Sequence, residues 1–214
     1  MYKSKIKICG IKNLDTLKCC IENKADFFGL IFYSKSPRNI KINSAINLIN
    51  YSINKKISSV GVFVNQEINS LNKILKILQL DYIQLHGNEN EDYIKKIKEK
   101  NKVKIIKTIS ISSYEDFKKA EKYNNNNIDF FLFDYKPKKN ELPGGNSKTF
   151  NWELIKNIKI KKEWFLSGGI NIKNVNEIKN FAIPYGIDVS SGVEDKPGFK
   201  NNAKIKNLIS KYNE

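Results

Sequence analysis

The sequence predicts an α/β fold, a single-domain (β/α)8 TIM barrel that takes in the whole chain, residues 1–214. Eight short runs rich in Ile, Val and Phe alternate with segments of helical periodicity, an order typical of βαβ units and a parallel sheet. The repeats average about 27 residues, which is compact but sufficient for a barrel. An open doubly wound sheet is the alternative. The count of eight and the absence of a Gly-x-Gly-x-x-Gly turn after the first run disfavour it.

Each strand is predicted from an apolar run that polar residues or glycine bound. The runs lie at 5–11, 25–32, 57–64, 82–87, 103–109, 129–134, 163–169 and 186–192. The first alternates apolar and basic residues, which is typical of a strand. The sixth places four consecutive apolar residues between two aspartates, as expected for a strand buried in a parallel sheet.

Helical patterns fill intervals between these runs. They lie at 14–23, 68–78, 92–100, 114–123, 152–158 and 174–182, and a last one lies at 201–212. We expect the adjacent Cys19 and Cys20 to pack the first of these helices against its neighbours. Trp152 and Trp164 are predicted to be packing residues of the sixth helix and the seventh strand.

The composition indicates a soluble cytoplasmic protein. Hydrophobic residues make up 40% of the chain, which is ordinary for a globular domain, and no apolar run approaches the ~20 residues of a membrane span. The first residues lack the apolar core and cleavage site of a signal peptide. Three cysteines, two of them adjacent, do not form a disulfide framework. We therefore expect a reducing compartment and no membrane partner.

The net charge of +16 raises the possibility of nucleic-acid binding, because basic surfaces attract phosphate backbones. Lys, Asn and Ile are all abundant and all have codons rich in A and T, so genome composition can supply much of this charge. Arginine, the better reader of bases, occurs once. We expect a small-molecule substrate and no nucleic-acid partner, with a monomer as the expected state and a homodimer as the alternative.

Chemically versatile residues stand where the predicted strands end. Active sites of (β/α)8 barrels form at the carboxyl ends of the strands. The residues found there are Cys9, Gly10, Asn65, His86, Gly87, Asp134, Ser167, Gly168, Gly169, Ser190, Ser191 and Gly192. A buried cysteine is often only a small hydrophobe, but the position of Cys9 favours a site residue.

Four features of these loops suggest roles. The small residues after strands seven and eight suit a phosphate site, which barrels often build there. Asp134 follows an apolar run, so burial would raise its pKa and suit it to acid catalysis; a helix cap or salt bridge is the alternative. Arg38 suits two-pronged recognition of an anion, with a surface salt bridge as the alternative. His86 either lines the pocket or packs beneath it.

A metal site is not expected. His86 is the only histidine, and no combination of cysteine and histidine has the spacing of a zinc site. Acid–base chemistry needs no metal or organic cofactor, and we predict none.

Seven motifs together resemble the phosphoribosylanthranilate isomerase family from end to end. They are KICGI at 7–11, SPR at 36–38, VGVFV at 60–64, QLHG at 84–87, LFD at 132–134, SGGI at 167–170 and DVSSGVE at 188–194. The resemblance implies a cofactor-free barrel of tryptophan biosynthesis. Its reaction is an Amadori rearrangement that converts N-(5-phospho-β-D-ribosyl)anthranilate to 1-(2-carboxyphenylamino)-1-deoxy-D-ribulose 5-phosphate.

The resemblance also implies roles for individual residues. Cys9 resembles the general base, Asp134 the general acid, and Arg38 the group that holds the anthranilate carboxylate. The expected substrate-binding residues are Arg38, His86, Gly168, Gly169, Asp188, Ser190, Ser191 and Gly192. A thiol of pKa ~8.5 is mostly protonated at pH 7, so we expect nearby cationic groups to lower the pKa of Cys9.

The chain departs from the family pattern in one loop. The family usually has Gly-Gly-Thr-Gly or Gly-Gly-Ser-Gly before Lys-Thr-Phe, whereas this chain has Gly-Gly-Asn-Ser at 144–147.

Other phosphosugar barrels fit less well. The histidine-pathway sugar isomerase would place aspartates where this chain has Cys9 and Thr108. Pentose-phosphate epimerases need several histidines, and indoleglycerol-phosphate synthase needs a lysine acid and an N-terminal extension.

Overall fold

A computed structural model describes residues 4–123, 127–156 and 158–214. Its eight parallel strands close into a barrel in chain order, and the last pairs with the first. The strands are β1 (Lys5–Cys9), β2 (Phe27–Ile31), β3 (Ser58–Phe63), β4 (Tyr82–Leu85), β5 (Lys104–Ile111), β6 (Phe130–Tyr135), β7 (Trp164–Leu166) and β8 (Gly186–Val189). The predicted fold class is confirmed, and each strand lies in or overlaps its predicted run.

Alternation of side chains along the strands divides the interior into two apolar regions. Within the barrel, six packed residues come from six different strands: Phe27, Val60, Tyr82, Ile106, Leu132 and Phe165. The intervening strand residues, such as Ile8, Phe28 and Ile83, belong to a larger cluster shared with the helices. This largely apolar layer fills the middle of the barrel, and the carboxyl ends of the strands, where the active sites of such barrels form, lie beyond it.

The outer layer contains helices of unequal length. They are α1 (Leu14–Glu22), α2 (Ile42–Ser52), α3 (Ile68–Ile77), α4 (Glu91–Lys100), α5 (Lys118–Lys122) and α6 (Asn202–Asn213). The Asn13 side chain caps α1 by accepting a bond from the Thr16 amide. Cys19 and Cys20 are buried on α1, as predicted. The helix α2 was not among the segments singled out above. No helix in the described part of the chain is long and apolar enough to cross a membrane.

Three predicted helices are shorter than their sequence patterns suggest. The segment 114–123 forms a 3₁₀ turn, Tyr114–Phe117, followed by α5, while Val175–Asn180 and Trp152–Ile155 are 3₁₀ turns. The prediction of α-helices at 152–158 and 174–182 is therefore wrong over the residues described; Asn157 lies outside them. Both segments are rich in Asn and Ile, which disfavour helix interiors.

Both tryptophans pack as predicted. Trp152 is buried, and its ring meets that of Phe181 edge-on with centroids 6.0 Å apart. Trp164 is partly buried against the outer cluster, where its ring lies 5.3 Å from that of Phe133.

Candidate active site

One cavity at the carboxyl ends of the strands gathers most of the predicted site residues. Its lining includes Cys9, Arg38, His86, Asp134, Ser167, Asp188 and Ser190. A second hollow continues it past the loops after β7 and β8, where Gly168, Gly169 and Ser191 form the wall. A roomier groove beside Tyr114 and Phe131 lies on the outer wall and contains none of the predicted residues. The chemistry therefore belongs to the barrel mouth.

The Cys9 side chain occupies a space that β2 leaves open. A Cβ atom at Gly29 would lie 2.7 Å from the Cys9 sulfur, so only glycine fits opposite the thiol. The Ser190 hydroxyl donates to the Cys9 carbonyl oxygen at 3.1 Å, which ties the end of β1 to the loop after β8. Cys9 is thus held at the junction of β1, β2 and β8.

The expected lowering of the Cys9 pKa is wrong. Burial raises the pKa of the thiol; the positive charges of Lys7 and Lys200 act to lower it, and Asp188 adds to the increase. The net direction is upward. Cationic neighbours are present, as expected, but the loss of solvation outweighs them.

Lys7 and Asp188 form an ion pair below the thiol. The Lys7 Nζ atom lies 2.9 Å from Asp188 Oδ1, and both side chains are buried. The sequence analysis assigned no role to Lys7. The signal was its position two residues before Cys9, because alternate residues of a strand share a face.

Asp134 and His86 meet across the cavity. Asp134 is buried; its Oδ1 accepts a bond from the Tyr135 amide at 2.8 Å, and its Oδ2 lies 3.4 Å from His86 Nε2. The other ring nitrogen, Nδ1, lies 3.2 Å from Gln84 Nε2. His86 therefore lines the pocket, which decides between its two predicted positions.

The loop that carries His86 is anchored from outside the barrel. The Glu89 carboxylate accepts bonds from the amides of Asn65 and Gly87. It also accepts a bond from Lys107 Nζ at 3.0 Å. Contacts with Asn65 after β3 and Lys107 on β5 thereby hold the loop and fix the position of His86 beside Asp134.

Arg38 is buried in the cavity wall and pairs with Glu194. Its Nε donates to Glu194 Oε1 at 2.9 Å, and its Nη2 donates to Oε2 at 2.8 Å. Lys200 Nζ donates to the same carboxylate at 2.6 Å. Burial opposes ionisation of Glu194, but the bonds from Arg38 and Lys200 hold its pKa below the usual range. Arg38 thus forms a salt bridge, but a buried one and not the surface pair given as the alternative, and its recognition of a ligand anion stays a prediction.

A short hairpin brings Glu194 and Lys200 to this position. After β8, the strands β9 (Glu194–Lys196) and β10 (Phe199–Lys200) pair antiparallel. Lys200 Nζ also donates to the Ser190 carbonyl oxygen at 2.9 Å. The sequence analysis included Glu194 in a motif without a role and missed Lys200, because hairpins so short leave little periodicity.

The loops after β7 and β8 pack directly on one another. A Cβ atom at Gly192 would lie 1.9 Å from the Ile170 carbonyl oxygen. Gly168 and Gly169 have φ values of +91° and +63°, a region that glycine enters freely. Lys148 also lines this hollow. Asp134 and Asp188 complete the wall, and the backbone of the two loops lies where barrels often bind phosphate.

The loop at 144–147 lies over the cavity. A Cβ atom at Gly144 would lie 2.9 Å from His86 Cε1, and one at Gly145 would lie 2.2 Å from Arg38 Nη1. The Gly145 carbonyl oxygen accepts a bond from Arg38 Nη2 at 3.3 Å. Ser147, where the family usually has glycine, has a φ of +58°. Among the residues described, no cluster of three or more His, Cys, Asp or Glu could hold a metal ion.

Comparison with known proteins identifies the family. Residues 6–211 match the family model of N-(5′-phosphoribosyl)anthranilate (PRA) isomerase. The chain belongs to this family. It is 40% identical over 207 residues to the N-(5′-phosphoribosyl)anthranilate isomerase of Thermoanaerobacter sp. strain X514, with 97% of each chain covered. It is 37% identical over 212 residues to that of Bacillus cereus strain G9842, with 98% of each covered.

Solved structures of the family have the same fold. The phosphoribosyl anthranilate isomerase of Thermotoga maritima aligns with a TM-score of 0.86 at 34% identity over 98% of each chain. A family structure in complex with reduced 1-(O-carboxyphenylamino)-1-deoxyribulose 5-phosphate aligns with a TM-score of 0.81 at 32% identity over 98% of each chain. The chain is an isomerase of tryptophan biosynthesis that converts phosphoribosylanthranilate to the aminoketose phosphate. The family, the enzyme class and the reaction predicted from the sequence are confirmed.

Proposed function

We propose that Cys9 is the general base and Asp134 the general acid of this isomerisation. The observation that carries the proposal is their placement in one cavity, on strands three positions apart around the barrel. A sugar between them presents different atoms to each group. Both side chains are buried, so substrate and protein groups replace water around the reacting atoms.

The two groups suffice for the proton transfers. Asp134 protonates the ring oxygen of the ribose, and cleavage of the bond from that oxygen to C1′ leaves a protonated Schiff base. This cation acidifies the C2′ proton, which the Cys9 thiolate removes to give a neutral enolamine. Cys9 then returns its proton to C1′ and the C2′ hydroxyl proton passes to Asp134, which produces the ketone and restores both groups. Atoms are conserved, as an isomerisation requires.

Two anion receptors would orient the substrate across the mouth. A guanidinium suits the planar carboxylate of anthranilate, and Arg38 lies in the cavity wall. Gly168, Gly169, Ser190, Ser191 and Gly192 would hold the phosphate, with His86 and Asp188 contacting the sugar between the two ends. Lys148, which lines the phosphate hollow, adds a positive charge.

We also propose that residues 1–214 act as one domain in the cytoplasm, and as a monomer. The Thermotoga maritima enzyme is described as dimeric in one structure, so a homodimer is the alternative. Light scattering of the purified protein distinguishes the mass of one chain from that of two.

The Asp134→Asn variant tests the proposed acid. The amide keeps the shape of the side chain but cannot supply the proton, so kcat should fall at least about 10²-fold. Consumption of phosphoribosylanthranilate is followed by fluorescence. Asp92→Asn on α4, an exposed position, is the matched control and should keep its activity. Near-wild-type turnover by Asp134→Asn would exclude it as the acid.

A further inference from the structure

A charged side chain that the proposed proton transfers do not use lies inside the barrel, directly below the thiol. Lys7 is 0% exposed, and it precedes Cys9 by two residues on β1. Side chains two apart on a strand point to the same face. Cys9 lines the cavity, and the Lys7 ammonium reaches Asp188 on the neighbouring strand β8. A cation is therefore fixed in the barrel interior beside the proposed base.

A purely structural role explains this ion pair poorly. Moving two charges out of water is costly, and apolar side chains of similar volume often stabilise a core at least as well. Around the ion pair the barrel interior is filled in just that way, by residues such as Phe27, the register partner of Lys7 on β2. The ion pair occurs instead beside the cavity, which its Asp188 member lines.

Lys7 acts on the ionisation of the Cys9 thiol. Burial raises the pKa of the thiol, and Lys7 is the strongest of the charged neighbours that counter this increase. Burial also acts to lower the pKa of Lys7, but Asp188 and Cys9 outweigh it and the pKa is raised. The ion pair with Asp188 therefore favours the ammonium form of Lys7.

Other groups around the thiol act less strongly or lie farther away. From β8, Asp188 raises the pKa of Cys9, and from β10, Lys200 lowers it. The facing strand β2 presents Gly29, which has no charge. The remaining titratable or charged groups of the cavity are Tyr33, Arg38, His86 and Asp134.

We propose that Lys7 is a positioning residue for the isomerisation: its ammonium group, held by Asp188, stabilises the Cys9 thiolate and so sets the fraction of enzyme able to take the C2′ proton. This inference rests on the proposed role of Cys9 as the base. Lys7 donates no proton to the substrate and keeps its charge throughout.

The test measures the ionisation of Cys9 directly. In a Cys19→Ala/Cys20→Ala background, Cys9 is the only thiol, and its rate of alkylation by iodoacetamide is measured between pH 7 and 11. Lys7→Met should move the midpoint of this profile upward by about one unit, which is a tenfold smaller thiolate fraction at neutral pH. Asp188→Asn should move the midpoint downward, and Lys7→Arg should recover most of the parent value.

The kinetic profile should shift in the same direction. In Lys7→Met, kcat at pH 7 should fall about tenfold, and this loss should shrink as the pH rises and more thiolate forms. A residue needed only for the fold would lower kcat by the same factor at every pH. A loss in Lys7→Met that does not depend on pH overturns the inference.

A second buried lysine supplies the matched control. Lys107 pairs with Glu89 at 3.0 Å and is also buried, but it serves the loop that carries His86 and is not among the groups that affect the pKa of Cys9. Lys107→Met should leave the alkylation midpoint of Cys9 unchanged. An equal shift in Lys107→Met and Lys7→Met would overturn the inference.

Two further variants keep the test decisive. Where Lys7→Met alone fails to fold, Lys7→Met/Asp188→Asn leaves no unpaired charge, and its midpoint should still lie above that of the parent. Folding is checked by circular dichroism. An unmoved midpoint in a folded variant, together with an inactive Cys9→Ala, overturns the role of Lys7 alone. A fully active Cys9→Ala overturns the role of Cys9 as the base, whatever the midpoints show.

Discussion

Arg38 makes contacts with both the protein and the cavity. Its Nε and Nη2 atoms bind Glu194, and a Cβ atom at Gly145 would lie 2.2 Å from its Nη1. The bonds described for this guanidinium thus leave Nη1, with its two donors, for a ligand in the cavity. The paired contact is made with Glu194, which fixes the orientation of the guanidinium plane and so directs Nη1 as a single nitrogen donor toward a ligand carboxylate.

Arg38→Ala should therefore cost about 2–3 kcal/mol in kcat/KM for phosphoribosylanthranilate. Arg38→Lys should recover only part of this loss, because an ammonium group cannot pair with Glu194 through two nitrogens and present a third to the ligand. The comparison is repeated with a substrate analogue that lacks the benzoate carboxylate, for which Arg38→Ala should lose almost nothing. Equal losses on both substrates would show that Arg38 serves the phosphate or the fold instead.

The site residues differ in how readily the sequence predicts them. Cys9, His86 and Asp134 end strands, so the barrel rule alone places them at the mouth. Lys7 pairs with Asp188, which lies 181 positions away, and no local pattern links the two. The direction of the Cys9 pKa shift was predicted wrongly because it depends on the depth of burial, which the sequence does not give.

Among the elements, the 3₁₀ turn Tyr114–Phe117 after β5 depends on one carboxylate. Asp116 Oδ2 accepts bonds from the amides of Ser112 and Ser113 and from the Ser112 hydroxyl. Its Oδ1 lies 3.2 Å from Lys136 Nζ, and it also pairs with Lys119. Burial opposes ionisation, but these bonds outweigh it and hold the pKa of Asp116 far below its usual range.

Asp116→Asn should lower the free energy of unfolding by about 1–3 kcal/mol at pH 7, the usual scale for bonds to a charged group. Because the folded-state pKa is depressed, the stabilising effect is complete above the unfolded-state pKa of about 4 and is lost as the pH falls toward the folded-state value. Urea unfolding at pH 7, 5, 4 and 3 should show the difference between wild type and variant shrinking below about pH 4. A difference that stays constant with pH would contradict the proposed cause.

The loop at 144–147, which lies over the cavity, contains a residue with a positive φ. Ser147 has a φ of +58°, a region that costs a non-glycine residue about 1 kcal/mol or more. Ser147→Gly should therefore raise the free energy of unfolding by about 0.5 kcal/mol after the greater backbone entropy of unfolded glycine is subtracted. Ser147→Ala keeps the strain and should bring no gain. A Ser147→Gly variant less stable than wild type would show that the serine side chain supports this conformation.

The strands were predicted better than the helices, for a physical reason. Strands buried in a parallel sheet are apolar on both faces, so their sequences differ sharply from the turns around them. The segments at 152–158 and 174–182 contain apolar residues at spacings that fit a helix or a 3₁₀ turn equally well. Their Asn and Ile residues, which disfavour helix interiors, leave both segments as 3₁₀ turns over the residues described.

At the scale of the whole molecule, barrel closure is what assembles the site. Cys9 on β1 and Asp188 on β8 are neighbours only because the last strand pairs with the first. The same closure sets the loops after β7 and β8 beside the thiol, and the hairpin after β8 carries Glu194 back to Arg38. The site thus depends on contacts between the two ends of the chain, which explains why no single segment of the sequence predicts it.

The central claim is that Cys9 takes the C2′ proton at this mouth, and the Cys9→Ala variant tests it most directly. Its kcat for phosphoribosylanthranilate is compared with those of the wild type, Cys19→Ala and Cys20→Ala in the fluorescence assay, with circular dichroism to verify the fold. We predict that kcat falls at least about 10²-fold in Cys9→Ala, the scale of a lost proton-transfer group, while the two helix variants keep most of their activity. A folded Cys9→Ala variant with near-wild-type kcat would contradict the claim.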